Sequence, residues 1–309
     1  MGSGSLGRQF VAGAALAVAG VAAWGMLVER NRFTLREVNL RLLPASAQPL
    51  RILHLSDMHL APWQQGKGRW VRELARLQPD LIINTGDNWG WRDGLDAVRY
   101  AFDAFADIPG AFVFGSNDYE GPVVKNPLGY LGGPSSAKPD RPLLDSQSLR
   151  SYFTEELGWA DLNNSASSLA VNSQVIELYG LDDAHHGHDR IDDMVDALSD
   201  VRAVSPQPAL RLGVTHAPYL STLNELAHFG ADMLFAGHTH GGQVCVPGYG
   251  ALVTNCDLPP AQASGLSAVE CEGRVVPLHV SAGLGTSVFA PVRFACPPEA
   301  TLLTLLPVK

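Results

Sequence analysis

The stretch RILHLSD, residues 51–57, is a short apolar run that ends in a serine and an aspartate. Runs of this length, bounded by glycine, aspartate or proline, are typical of strands buried on both faces of a sheet. Six further runs of the same kind follow along the chain: DLIINTGD at 80–87, GAFVFGSND at 110–118, VIELYGLDD at 175–183, LRLGVTHAP at 210–218, DMLFAGHTH at 232–240 and LHVSAGLG at 278–285. The sequence therefore predicts seven buried strands.

Helical patterns lie between several of these predicted strands. GRWVRELARLQ at 68–78 and IDDMVDALSDV at 191–201 repeat apolar residues at helical spacing. Alternating strands and helices indicate an α/β fold, in which ligands collect at the carboxyl ends of the strands. Six of the seven predicted strands end in Asp, Asn or His, the residue types that bind divalent metals. We therefore expect a metal site at that edge of the sheet.

The overall composition is that of a globular protein and excludes one class of partner. Of the 309 residues, 46% are hydrophobic and 17% are charged, and the formal net charge is −9. A protein that binds nucleic acid needs clustered Lys and Arg on a broad basic face, so the acidic balance argues against a nucleic-acid partner. A phosphate bound here would need a local positive source, and metal ions can be one.

An uncharged apolar segment, FVAGAALAVAGVAAWGMLV, runs from Phe10 to Val28 and is long enough to span a bilayer. We predict a membrane anchor in residues 1–30, a polar linker with one short extended piece in 31–49 and one folded domain in 50–309. The alternative is a secretory signal that is cut near Ala22 to Trp24. The anchor is favoured because the run is longer than a usual cleaved segment and leads directly into charged residues. A single-pass, membrane-anchored protein is therefore expected.

The four cysteines all fall in the C-terminal part of the chain and show no CxxC spacing. They are Cys245, Cys256, Cys271 and Cys296. This spacing argues against a zinc ribbon. In an oxidising compartment they would form disulfides in one of three pairings, and in a reducing one they would remain thiols. The second alternative is favoured.

Seven polar residues at the ends of the predicted strands form a candidate metal site: Asp57, His59, Asp87, Asn117, His216, His238 and His240. Asp57 and His59 are two positions apart at a strand end, so both side chains point to one face. Carboxylate, imidazole and amide ligands together suit manganese, iron or zinc better than calcium. Each short motif is common by chance, but all of them in this order at strand ends indicate one shared site.

In the order SDMH, GDN, GSND, THAP and GHTHGG, these motifs resemble the calcineurin-like metallophosphoesterase superfamily. The resemblance extends from Leu50 to about Leu306, and GHTHGGQV with VRFACPPE is most similar to a bacterial branch of membrane-anchored or exported phosphodiesterase-like enzymes. It implies a four-layer αββα sandwich of two mixed β-sheets flanked by helices, preceded here by a transmembrane helix. The side of the membrane stays open, because export opposes the cytoplasmic orientation that Arg30, Arg32 and Arg36 weakly favour.

The resemblance also implies two divalent metal ions and a reaction. The first ion would be held by Asp57, His59, Asp87 and His240, and the second by Asp87, Asn117, His216 and His238. Asp87 would bridge the two ions. A hydroxide between them would hydrolyse a phosphodiester or pyrophosphate bond in a small-molecule, nucleotide-linked or lipid-linked substrate. The enzyme is expected to be a monomer.

One motif departs from the family pattern Gly-Asn-His-Asp. This chain has Gly115, Ser116, Asn117 and Asp118 there. A gapless match puts Ser116 at the amide ligand's position, whereas a one-residue slip puts Asn117 on the metal and Asp118 where the family has its histidine. We favour the slip because a carboxamide oxygen is a better ligand for these metals than a neutral hydroxyl. The predicted catalytic residues are then Asp87, Asn117, Asp118 and His216.

The absence of that histidine supports an alternative function, a membrane-tethered regulatory module that binds metal without significant turnover. Hydrolysis is favoured because bound metals usually contribute more to the rate than one general acid, which typically contributes about 10²–10⁴-fold. A protein phosphatase is disfavoured because the sequence has no extended acidic or basic tract for docking a protein substrate.

Several other residues have plainer interpretations. The three histidines of LDDAHHGHD at 181–189 are favoured as part of a solvated loop, with a proton donor as the alternative. His54 lies inside the first predicted strand and is expected to be a hydrogen-bonded core residue. For Trp63, Trp89 and Trp91, ordinary packing is favoured over an apolar entrance for an acyl or aromatic group.

Overall fold

Two six-stranded β-sheets pack against each other in the computed structural model, which describes Gly13, Leu16 and residues 18–124 and 141–309. The spatial order of the first sheet is β1 (Thr34–Leu43), β12 (Glu299–Pro307), β2 (Leu50–Leu55), β3 (Leu81–Asn84), β4 (Gly110–Phe112) and β5 (Ala160–Asp161). The order of the second sheet is β10 (Gly265–Cys271), β11 (Arg274–Val280), β9 (Met233–Ala236), β8 (Leu210–Thr215), β7 (Gln174–Leu181) and β6 (Ser165–Val171).

Both sheets are mixed. In the first sheet β12 runs antiparallel to β2, and the other neighbours are parallel. In the second sheet the hairpins β6–β7 and β10–β11 are antiparallel, and the strands between them are parallel. Because β2, β3 and β4 are parallel neighbours, the loops after them leave the sheet at one edge, and the same holds for β7, β8 and β9.

Helices connect many of these strands. They are α1 (Gln65–Glu73), α2 (Leu95–Phe102), α3 (Ser116–Tyr119), α4 (Ser146–Ser151), α5 (Ile191–Val204) and α6 (Leu220–His228). Short 3₁₀ turns lie at Glu29–Asn31, Leu74–Leu77, Asp103–Phe105, His240–Gly242 and Pro260–Gln262, and π-helical turns at Trp24–Val28 and Tyr152–Glu156.

Three apolar cores separate the layers. Ile52 of β2 faces the core between the two sheets, whereas its neighbour Leu53 faces the core between the first sheet and its helices. This alternation is the pleat of a strand buried on both faces. A third core joins α5 and α6 to the second sheet, with Leu198 and Leu226 packed on Leu278. The predicted α/β fold with two mixed sheets flanked by helices is confirmed.

The predicted strands and helices are found where the sequence pattern puts them. The seven apolar runs correspond to β2, β3, β4, β7, β8, β9 and the end of β11. The two predicted helices correspond to α5 and to α1 with the 3₁₀ turn that follows it.

The predicted linker over 31–49 is wrong, because it contains β1. This strand pairs in parallel with β12, from Thr34 beside Glu299 to Leu43 beside Pro307. Its side chains alternate between exposed and partly buried positions, as expected of an edge strand that covers the protein with one face. Its partner is the last strand of the chain, so the local sequence gives no sign of the pairing.

The predicted membrane segment, Phe10 to Val28, lies partly outside the described residues. Among the residues that are described, no helix combines the length and the apolar character needed to cross a bilayer. The membrane anchor therefore stays a prediction.

The residues at the end of this segment are attached to the C-terminal part of the fold. Glu29 is buried, and its Oε1 accepts a hydrogen bond from the backbone N–H of Cys296 (2.8 Å) while its Oε2 accepts one from Trp24 Nε1 (2.8 Å). The carbonyl oxygen of Gly25 accepts a hydrogen bond from the N–H of Arg293 (3.2 Å). The folded unit therefore includes residues well before Leu50.

We expect Glu29→Ala to lower the free energy of unfolding by about 1–3 kcal/mol, because it removes the acceptor of a buried backbone N–H. Chemical denaturation of the full-length protein measures this loss. Glu37→Ala, at an exposed position of β1, is the matched control and should change the free energy by less than about 0.5 kcal/mol. Equal effects of the two substitutions would contradict a stabilising role for the docked segment.

Candidate metal centre

Loops at the carboxyl ends of five strands converge on one cavity of about 250 Å³. These loops follow β2, β3, β4, β8 and β9, and carry in turn Asp57 and His59, Asp87, Asn117, His216, and His238 and His240. Asp57 and His216 are fully buried, and the other five residues line the cavity. The structure thus brings all seven predicted metal-site residues together.

Five of these seven residues have a left-handed backbone. Their φ angles are 47° at Asp57, 40° at His59, 55° at Asp87, 68° at His238 and 49° at His240. Residues other than glycine rarely adopt this backbone conformation, and those that are held in it cluster at functional sites. Each loop therefore turns sharply just where its side chain enters the cavity, a feature that the sequence did not reveal.

Two glycines allow the loops to approach one another. A Cβ at Gly115 would overlap the carboxylate of Asp87 and would lie 2.6 Å from His216 Nε2. A Cβ at Gly237 would lie 2.6 Å from Asp57 Oδ2. Both positions tolerate only a hydrogen atom, because a side chain there would displace a carboxylate of the site.

One half of the site consists of two carboxylates and two imidazoles. Donor atoms of Asp57, His59, Asp87 and His240 all lie within 4.8 Å of one another. His59 Nε2 is 3.3 Å from His240 Nε2 and 3.4 Å from Asp87 Oδ2. His240 Nε2 is 3.5 Å from Asp57 Oδ1. This is the set that the sequence assigns to the first metal ion.

The other half shares Asp87 with the first. His216 Nε2 lies 3.6 Å from Asp87 Oδ2, and the ring of His238 lies 5.2 Å from the ring of His216. Asn117 donates hydrogen bonds to Asp87 twice, from its backbone N–H to Oδ1 (2.8 Å) and from Nδ2 to Oδ2 (2.6 Å). Asp87 is therefore the one carboxylate in contact with both halves.

Two buried polar atoms at the site make no hydrogen bond. They are Asp57 Oδ1 and His216 Nε2. A buried polar atom without a partner costs about 1–3 kcal/mol and calls for an explanation such as an ion. Divalent ions held by these residues would supply the missing partners of both atoms, so the donor set fits divalent metal.

Burial and charge set the protonation of the histidines. Burial lowers the pKa of His59 to about 4 and holds the pKa values of His238 and His240 well below the usual range. These three rings are therefore neutral at pH 7, the form that binds metal. Burial would also lower the pKa of His216, but the carboxylates of Asp87 and Asp57 outweigh it and raise that pKa to about 9.

Backbone oxygens orient three of the imidazoles. Nδ1 of His216 lies 2.6 Å from the carbonyl oxygen of Thr85, and Nδ1 of His240 lies 3.2 Å from that of Gly285. Nε2 of His238 lies 3.2 Å from the carbonyl oxygen and 3.1 Å from the side-chain Nδ2 of Asn255, so this residue orients the ring. A ring nitrogen that donates to a carbonyl fixes the tautomer, which leaves the other nitrogen as a metal ligand.

Arg293, which lies in the VRFACPPE motif, holds the wall behind His240. It is fully buried, and its Nη2 donates to the carbonyl oxygens of Ala282 (2.7 Å), Gly283 (3.0 Å) and Gly285 (2.7 Å). Its Nη1 lies 3.3 Å from the carbonyl oxygen of His240. The sequence motif was noted only as a family signature, so this positioning role was missed.

Asp118 has a positioning role in the structure, and its predicted catalytic role stays a prediction. It is fully buried and is absent from the described lining of the cavity. Its carboxylate accepts hydrogen bonds from the backbone N–H groups of Asp87 (2.7 Å), Asn88 (2.8 Å) and Gly115 (3.0 Å). The carboxylate therefore joins the loop of Asp87 to the loop of Asn117, and both of its oxygens accept hydrogen bonds.

The histidine-rich loop is not the solvated loop that the sequence favoured. His185 lines the cavity, with its ring 4.5 Å from that of His238 and its Nδ1 2.8 Å from the hydroxyl of Tyr219. The side chain of His186 is 6% exposed and lies 3.5 Å from the carboxylate of Glu120. The loop therefore forms part of the wall of the site.

Other sequence interpretations are settled by burial. His54 is fully buried, with Nδ1 2.8 Å from the Nδ1 of His279 and Nε2 2.9 Å from the hydroxyl of Thr85, as expected of a core residue. Trp89 is buried, as predicted, but Trp63 is 60% exposed and contacts Trp91. All four cysteines are free thiols.

Comparison with known proteins identifies relatives that resemble most of the chain. It is 27% identical to the UDP-2,3-diacylglucosamine pyrophosphatase LpxG of Chlamydia muridarum, over 92% of each chain. It is 25% identical to the metallophosphoesterase YkuE of Bacillus subtilis, over 96% of each. It is 24% identical to the phosphodiesterase YaeI of Escherichia coli, over 97% of this chain and 98% of the relative.

The family model described as calcineurin-like phosphoesterase matches residues 50–242, a range that contains all seven predicted metal-site residues. The matched region is more than half of the chain. The protein is thus a hydrolase of phosphoester bonds and belongs to the calcineurin-like phosphoesterase family.

Proposed function

We propose that this enzyme hydrolyses a phosphodiester or pyrophosphate bond of an amphiphilic, lipid-linked or nucleotide-linked substrate at two divalent metal ions. The observation that carries the proposal is the pair of buried, unbonded ligand atoms, Asp57 Oδ1 and His216 Nε2, on either side of Asp87. Manganese, iron or zinc suits this mixture of carboxylate, imidazole and amide donors.

The assignment of ligands follows the contacts of Asp87. We assign Asp57, His59, Asp87 and His240 to one ion, and Asp87, Asn117, His216 and His238 to the other. Asn117 is preferred to Ser116 because a carboxamide oxygen is a better ligand for these metals than a neutral hydroxyl. In the structure Nδ2 contacts Asp87 and Oδ1 contacts Arg141, so ligation through Oδ1 requires the carboxamide to rotate. Divalent ions bound there would lower the pKa of water and offset negative charge on the phosphoryl oxygens.

The residues of the chain provide positioning rather than covalent chemistry. Asp118 and Arg293 fix the loops, and the carbonyls of Thr85 and Gly285 orient the imidazoles. The buried cavity reduces screening by water, so the fixed dipoles and charges act strongly on a phosphoryl group.

The mouth of the cavity supports an amphiphilic substrate. Val244 and Leu252 line the cavity and are 46% and 50% exposed. Beside it, Phe289 contacts Trp91, which contacts Trp63. An exposed apolar rim next to a polar site is suited to a ligand with one apolar part. The name of the relative LpxG, a UDP-2,3-diacylglucosamine pyrophosphatase, describes a substrate of this kind.

We also propose that the chain is membrane-anchored through Phe10 to Val28. The segment has no charged residue, and Gly25 packs against Val292, which lines the cavity. An anchor that ends beside the cavity would hold the apolar rim close to the lipid. Fractionation of cells that produce the full-length chain tests this, since uncleaved protein in the soluble fraction would contradict it.

We predict that Asp87→Asn abolishes hydrolysis and loosens both ions, because this carboxylate contacts both halves of the site. Turnover of an aryl phosphodiester and metal content, measured on the same preparation, are the readouts. Asp107→Asn, at an exposed position outside the cavity, is the control. Near-normal turnover by Asp87→Asn with both metals retained would exclude a bridging role for Asp87. If the unaltered protein binds two metals but shows no turnover, the non-catalytic regulatory module is supported instead.

Metal binding is predicted to weaken as pH falls from 9 to 7. The pKa of His216 is raised to about 9, so below that pH an ion must displace a proton from this ring, and this group alone costs up to about tenfold in apparent affinity per pH unit. Below pH 6 a second proton competes, because burial raises the pKa of Asp57 to about 6. Calorimetric titration with Mn²⁺ in buffers of different ionisation enthalpy counts the protons released, and no release at pH 7.5 would be contrary to the assignment.

The enzyme is predicted to prefer substrates whose leaving group needs little protonation. The family's histidine is absent, and Asp118 is committed to backbone N–H groups, so neither donates a proton to a strongly basic oxygen. Pyrophosphates and aryl diesters should therefore react much faster than alkyl monoesters. The measurement is log kcat/KM against leaving-group pKa at fixed metal and pH. A flat dependence would reveal a proton donor, and His185 is the first position to replace.

A further inference from the structure

The cavity has one fixed positive charge in its wall, Arg141. Among the described residues that line it, no other is Lys or Arg. The arginine side chain is 3% exposed, so its charge is desolvated and is not free to move into solvent. A buried guanidinium in the wall of a cavity that binds an anion is suited to bind that anion, because it is always charged and donates several hydrogen bonds.

Contacts with the segment after α3 fix the plane of the guanidinium. Nε donates to the carbonyl oxygen of Gly121 (3.1 Å), and Nη2 donates to that of Glu120 (3.1 Å). Nη1 lies 3.0 Å from the Glu120 carboxylate. Nη2 also donates to Asn117 Oδ1 (2.8 Å). Among the described residues, Nε thus has one hydrogen-bond acceptor and Nη2 has two, whereas Nη1 has only the ion-pair contact with Glu120. Nη1 is therefore the nitrogen best placed to donate to a ligand.

Arg141 is adjacent to the proposed metal ligands. The Asn117 carboxamide lies between two partners, with Nδ2 on Asp87 Oδ2 at 2.6 Å and Oδ1 on Arg141 Nη2 at 2.8 Å. One side chain therefore separates the guanidinium from the carboxylate at the centre of the site. Glu120, the ion-pair partner of Arg141, is not among the described residues of the cavity wall, so of this pair the arginine lines the cavity and the carboxylate does not.

We propose that Arg141 binds a non-bridging oxygen of the substrate's phosphoryl group and stabilises the negative charge that grows on it during hydrolysis. This inference rests on the proposed function. In the family pattern, the missing histidine stabilises the transition state or protonates the leaving group. Here Arg141, on a different loop, would take over the electrostatic stabilisation. It would not donate a proton to the leaving group. A fixed charge that contacts the phosphoryl oxygens contributes without any proton transfer.

The test compares Arg141→Met and Arg141→Lys with Arg99→Met as the matched control. Arg99 lies on α2, away from the cavity, and forms a two-point ion pair with Glu156. Its replacement removes an arginine ion pair without changing a residue of the site. Metal content and melting temperature are measured first in each full-length variant loaded with Mn²⁺. Calorimetric binding of inorganic phosphate and kcat/KM for an aryl phosphodiester follow.

We expect Arg141→Met to retain both metals and to bind phosphate about 10- to 100-fold more weakly, the range for loss of one hydrogen bond to a charged group. The value of kcat/KM should fall at least as far, and Arg141→Lys should recover part of both. Arg99→Met should change neither. Unchanged phosphate binding by Arg141→Met with both metals present would overturn the proposal, and so would a loss of activity that only parallels a loss of metal.

The two proposals fail in different ways. If the unaltered protein binds phosphate through Arg141 but turns over no phosphoester, the proposed function fails and the role of Arg141 in binding stands. If the unaltered protein is active and Arg141→Met has normal phosphate affinity and kcat/KM, the proposed function stands and Arg141 only positions Asn117.

Discussion

The site depends on one carboxylate, that of Asp87. Its Oδ2 lies 2.6 Å from Asn117 Nδ2, 3.4 Å from His59 Nε2 and 3.6 Å from His216 Nε2. His59 and Asn117 follow strands of the first sheet, whereas His216 follows a strand of the second. Burying an isolated carboxylate lowers the free energy of unfolding by several kcal/mol, and these contacts offset that loss. The contacts of Asp87 therefore join loops of the first sheet to a loop of the second, above the apolar core between the sheets.

Strained backbone is the cost of bringing so many loops together. A left-handed residue other than glycine costs on the order of 1–3 kcal/mol and persists only where its surroundings determine it. Here the surroundings are backbone hydrogen bonds, such as Asp57 N–H to Gly86 O (2.8 Å) and His59 N–H to Asp87 O (2.9 Å), together with the buried guanidinium of Arg293. Most of the positioning is thus done by groups that never contact substrate, and replacing them changes the geometry of the ligands rather than their identity.

The sequence predicted the strands that carry the site because each is a short apolar run followed by a metal-binding residue type. It did not predict β1, whose alternating pattern makes sense only beside the last strand of the chain. It also did not reveal that Asp118 accepts hydrogen bonds from three backbone N–H groups, since a motif shows which residue is present and not which way a side chain points. The places of His185 and Arg141 in the cavity wall both result from contacts between distant segments, which local patterns do not encode.

The charge of the chain bears on its choice of substrate. A net charge of −9 repels polyanions, and the described cavity wall has one arginine, so we infer that recognition is confined to a single phosphoryl or pyrophosphoryl group held by the proposed ions and Arg141. Such a group is common to many metabolites, so selectivity has to come from elsewhere. Burial of apolar surface contributes about 25 cal/mol per Å², and the exposed rim at Val244 and Leu252 offers such surface beside the phosphoryl site. We therefore expect substrate choice to change with residues of this rim while the residues around Asp87 determine the reaction.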